Sequence, residues 1–70
     1  MIMTEWTEPF HGVTHLGTPD DVRWATVENC GGSAYLMRWM KGDGFSCRHG
    51  RFPSVEEAKA AGEAWVERGV

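Results

Sequence analysis

VRWATVENCGGSAYLMRWMKGDGFSCRH, residues Val22 to His49, decides the fold. Val22 to Asn29 places Val, Trp and Thr where a strand favours them, and Ala34 to Lys41 does the same with Tyr, Leu, Met and Trp. Between the two runs, Gly31-Gly32 can take the positive φ values that a two-residue hairpin turn demands. A second tight turn at Gly42-Asp43 leads into a third run, Phe45 to His49. The spacing predicts a three-stranded antiparallel meander.

Two-residue loops fix a register. Trp24 then faces Trp39, Thr26 faces Met37 and Glu28 faces Tyr35, while Trp39 and Met37 face Ser46 and Arg48. One side of the sheet receives Trp24, Thr26, Tyr35, Met37, Trp39, Ser46 and Arg48. The other receives Ala25, Val27, Ala34, Leu36, Met40, Phe45 and Cys47, with Arg23, Arg38 and His49 towards its margins. Because side chains alternate with a period of two, a slip of one residue in either hairpin would exchange the sides of one strand.

Downstream, Phe52-Pro53-Ser54-Val55-Glu56-Glu57 starts a helix. Ser54 can accept from the Glu57 amide while Glu57 reaches back to the Ser54 amide, a capping box, and both glutamates suit the positive end of the helix. From there Val55, Ala58, Ala61, Gly62, Trp65 and Val66 recur at three and four, and Gly69 supplies a stop. The expectation is a helix of about fourteen residues, with Glu56, Lys59, Glu63 and Glu67 outward and its small residues against the aliphatic side of the sheet. Upstream, residues 1–21 hold Ile2, Trp6, Phe10, Val13 and Leu16, interrupted by Pro9, Gly12, Gly17 and Pro19. They read as an irregular arm pinned by Trp6 and Phe10, with room for one short edge strand near Val13 to Leu16. The fold class is α+β in a single domain: an arm over 1–21 and a β-β-β-α unit over 22–70.

Seventy residues allow one core, and a chain so short buries a small share of its surface. Four Trp, three Phe and one Tyr replace the aliphatic payload that the sequence lacks. The net charge of −3 excludes indiscriminate phosphate binding, yet the charge is segregated: −4 over residues 1–21, +3 over 22–52 and −2 over 53–70. Two cysteines make no disulfide framework. With no basic region followed by an apolar run at the N-terminus and no membrane-spanning stretch, the expectation is a cytoplasmic protein with free thiols and no membrane partner.

A three-stranded meander followed by Gly50-Arg51-Phe52-Pro53-Ser54-Val55-Glu56-Glu57-Ala58 and one amphipathic helix resembles short phage and prophage proteins of β-β-β-α layout, some of them anti-defence inhibitors such as anti-CRISPR proteins. It also resembles the arm-binding domain of tyrosine-type phage integrases and the related plant ethylene-response-factor-type DNA-binding domain. The first resemblance implies a small protein that occludes a bacterial target. The second implies an open sheet face, carrying Arg and Trp, that lies in the DNA major groove.

The residues that carry a function on this reading are Trp24, Tyr35, Met37, Trp39 and Arg48, types enriched at protein interfaces and gathered on the side the helix does not cover. A competing occupant is the chain's own arm, with Trp6 and Phe10 filling that face. Cys30, Cys47, His11, His15 and His49 lack the spacing of a zinc site, so neither metal nor cofactor is expected. Asp20-Asp21 and Glu56-Glu57 are adjacent carboxylates instead of an opposed pair, and Ser33, Ser46 and Ser54 lack an evident His and acid partner. The expectation is a non-enzymatic protein-binding module. DNA binding through the same face is the alternative, and self-association through that face or an edge strand is a further one.

Overall fold

The computed structural model describes residues 5–18 and 20–70. Four strands, β1 (Val13–Leu16), β2 (Arg23–Asn29), β3 (Ala34–Lys41) and β4 (Phe45–Phe52), are followed by the helix α1 (Val55–Arg68). The strands form one antiparallel sheet in the order β1-β2-β3-β4, so each pairs with its neighbour in the chain. The class is α+β as expected, with four strands where the meander alone accounted for three.

The added strand comes from the arm. Thr14 and Leu16 alternate inward from β1 and are buried, while His15 points to the opposite side. The glycines of the arm border this strand instead of breaking it: Gly12 (φ 78) turns the chain so that Phe10 and Val13 bridge. Gly17 (φ 81) ends it where a Cβ would lie 3.0 Å from that of Trp24. Residues 1–4, at the head of the expected arm, and Pro19 lie outside the described residues.

The first hairpin is as the sequence specifies. Gly31 (φ 65) and Gly32 (φ 96) both occupy the left-handed region, the Cys30 amide donates to the Ser33 carbonyl, and Trp24 pairs with Trp39, Thr26 with Met37 and Glu28 with Tyr35. The second hairpin differs. Lys41 pairs with Phe45, so Gly42, Asp43 and Gly44 all belong to the loop, closed by a bond from the Gly42 amide to the Gly44 carbonyl. The one added loop residue shifts β4 by one position: Trp39 faces Cys47 and Met37 faces His49. Arg48 and Ser46 therefore pass to the helix side, and Phe45, Cys47 and His49 come to the other.

The core sits between α1 and the aliphatic side of the sheet. Leu16, Ala25, Val27, Ala34 and Leu36 from the strands meet Ala58 and Trp65 of the helix. The fully buried Leu16, Val27 and Leu36 each contribute roughly 1.5–3 kcal/mol by burial. Ser54 caps α1 by accepting from the Glu57 amide at 3.2 Å, while the Glu57 carboxylate accepts from the Ser54 hydroxyl at 3.3 Å. At the other end Gly69 (φ 74) donates to the Trp65 carbonyl, the left-handed stop that its position implied.

Candidate functional site: the open sheet face

Because α1 covers one side of the sheet, the site is defined by what the other side shows. Trp24 and Trp39, paired across β2 and β3, stack with centroids 5.7 Å apart and planes 1° from parallel. Phe45, brought across by the longer loop, meets the Trp24 ring edge-on at 5.7 Å. Farther along the same face Tyr35 tilts against His49 at 5.4 Å. Aromatic pairs in such offset and edge arrangements gain about 0.5–1.5 kcal/mol beyond the area they bury.

Polar contacts tie this cluster to the sheet. The Trp39 indole Nε1 donates to Thr26 Oγ1 at 3.3 Å, and His15 Nδ1 lies 3.1 Å from the same oxygen. The Thr26 hydroxyl, one donor with two acceptor lone pairs, thus joins the Trp39 indole to the His15 ring. Thr26 itself is buried. The rings of Trp24, Trp39 and Phe45, with Thr26, His15 and Gly17, border an open groove of about 540 Å³.

Of the residues expected to form a binding face, Trp24, Tyr35, Met37 and Trp39 share this side of the sheet. Their exposure divides them. Trp24 is buried beneath its neighbours at 7% and acts as the floor, whereas Tyr35, Met37 and Trp39 remain half-exposed. Arg48 does not join them; it pairs with Arg38 on the helix side. Phe45, 66% exposed, takes the prominent place, with His49, Cys47 and Arg51 behind it on β4. The signal that could have found them is the second glycine, Gly44, which extends the loop from two residues to three.

The arm does not cover this face with its aromatic residues. Trp6 packs on the helix instead: its ring lies over Gly62, where a Cβ would come within 2.8 Å of Cη2. Its Nε1 donates to Glu63 at 2.9 Å, and Lys59 Nζ sits 5.7 Å from its centroid. Phe10 is 75% exposed beside His11. What keeps this segment in place is a polar clasp along β1, where the Thr7 amide donates to the His15 carbonyl and the His15 amide to Thr7 Oγ1.

Chemical groups on the face are few. Cys30 and Cys47 are free, and partial burial raises the pKa of the Cys47 thiol. Among the described residues no three His, Cys, Asp or Glu side chains gather to hold a metal ion, and no helix is long and apolar enough to cross a membrane. Comparison of the chain with known families, with characterised proteins and with solved structures finds no match.

Proposed function

We propose that the chain is a small, non-enzymatic protein-binding module that presents the open sheet face to a protein partner. The observation that carries this reading is the uncovered group of three rings, Trp39, Phe45 and Tyr35, with the Met37 thioether among them, from which both the helix and the Trp6 indole are turned away. Exposed rings held rigidly on a sheet offer a large contact area at low conformational cost, and a half-buried Trp or Tyr at the centre of a face is the usual anchor of an interface. Following the resemblance to short phage proteins, the partner proposed is a bacterial protein that the module occludes. The test is capture from a bacterial lysate by the immobilised protein and by its Phe45→Asp variant. Phe45 is exposed enough for the variant to fold, so loss of the captured protein supports the reading, and equal capture by both forms overturns it.

DNA binding through the same face is the second reading, favoured by one observation: the register that removes Arg48 brings Arg51 opposite Tyr35, with Lys41 at the far end of the same side. This reading expects an affinity for duplex DNA that falls steeply with salt and weakens on Arg51→Ala. Absence of any shift at low salt would dispose of it.

A further inference from the structure

The helix side of the sheet carries a feature that the core does not use. Arg38 and Arg48 lie directly opposite one another across β3 and β4, where like charges repel. Arg38 Nε is buried and has no hydrogen-bond partner among the described residues, although buried guanidinium donors are ordinarily satisfied. Gly50, diagonal to Arg38 on β4, lies beside the guanidinium: a Cβ there would be in ordinary contact, 3.6 Å from Arg38 Nη2. Beside the pair opens a cleft of about 160 Å³, bordered by Arg38, Met40, Ser46, Cys47, Arg48 and Trp65, with no carboxylate among them. The Ser46 hydroxyl makes only a long contact, 3.5 Å, to the Met40 carbonyl.

We propose that this cleft binds a phosphate-type oxyanion, either inorganic phosphate or the terminal phosphate of a phosphomonoester. Such an ion offsets the repulsion between Arg38 and Arg48 and accepts from the terminal guanidinium N–H groups of the pair, next to the enclosed Arg38 Nε. A tetrahedral phosphate can accept from two guanidinium groups on adjacent strands and from a hydroxyl at once, while a planar carboxylate is best matched by one guanidinium in a parallel fork. A phosphodiester backbone would need a longer basic track than two arginines beside an acidic helix. The site lies on the opposite side of the sheet from the aromatic cluster and is independent of what that cluster binds.

The experiment follows the arginine Nε–H resonances by NMR during separate titrations with inorganic phosphate, acetate and dimethyl phosphate at constant ionic strength. The expected result is a saturable shift of Arg38 with phosphate while Arg68, exposed at the end of α1, stays still. Half-saturation should come at a concentration about tenfold or more below that for acetate or dimethyl phosphate, and Arg48→Gln should weaken the phosphate response by about tenfold. Arg48 is exposed, and unchanged backbone resonances of the variant establish its fold. An unmoved Arg38, or one that drifts linearly in step with Arg68, overturns the proposal. Equal saturation by acetate or dimethyl phosphate overturns the assignment to phosphate.

Discussion

Arg23 holds Trp65 at two points: its Nε donates to the Trp65 carbonyl at 2.9 Å, and its guanidinium carbon lies 5.8 Å from the centroid of the indole. The residue at the start of β2 thereby caps the last turn of α1, with a second, longer bond of 3.4 Å to the Val66 carbonyl. A cation at a helix C-terminus is worth up to about 2 kcal/mol when partly buried. Arg23→Ala is expected to lower unfolding free energy by about 1–2 kcal/mol in a urea titration. Arg23→Lys should recover only part of it, since lysine lacks the planar fork that serves two carbonyls.

Gly62 is a second junction between distant parts of the chain. An alanine there would ordinarily favour the helix by about 1 kcal/mol, but its methyl group would lie 2.8 Å from the Trp6 ring and 3.2 Å from the Ala25 Cβ. Gly62→Ala is therefore expected to destabilise the protein and to shift the Trp6 indole N–H resonance as its bond to Glu63 is disturbed. In a Trp6→Ala background the same change should cost less. The difference between the two backgrounds measures the coupling.

The helix cap gives a third expectation. Ser54→Ala removes the acceptor of the Glu57 amide and should cost about 1 kcal/mol of stability. Ser54→Asp keeps an acceptor and should lose less, as read from thermal midpoints of the three proteins.

The two thiols should separate by reactivity. Cys30 is exposed at the first turn, whereas Cys47 is partly covered, and desolvation raises its pKa. Since the thiolate is the nucleophile, alkylation near neutral pH is expected to label Cys30 first. Labelling of Cys47 should accelerate only at pH alkaline to the ordinary thiol range, which mass spectrometry across a pH series can follow. The linkage has a matching sign: a thiol whose folded pKa is raised favours the folded state below its unfolded pKa, and that contribution is lost as pH rises through the folded value.

Much of this was legible in the residues. Gly31-Gly32 states its turn type unambiguously, because both positions need positive φ, and the pairing of Trp24 with Trp39 follows from it. Ser54, Glu57 and Gly69 likewise mark both ends of α1. Gly42-Asp43-Gly44 was ambiguous, since two adjacent residues of it suffice for a tight turn while the third changes which side every β4 residue occupies. Arg48 was misplaced for that reason alone. The short β1 was hard to distinguish from the glycines and prolines around it, because its partner strand, not its own propensity, sets its conformation. Trp6 was legible as an anchor but not as one for the helix, because nothing local to it indicates that Gly62 leaves a gap.

Strand β4 also bears on how the sheet ends. Eight residues long, without proline, it runs along one border of the sheet with only β3 beside it, the kind of margin onto which further strands can be added. Its run Arg48-His49-Gly50-Arg51 has no acidic residue. When two molecules approach margin to margin, each brings the same arginines, Arg48 and Arg51, to the seam. The strand thus carries at its own border the charge that opposes growth of the sheet into a ribbon.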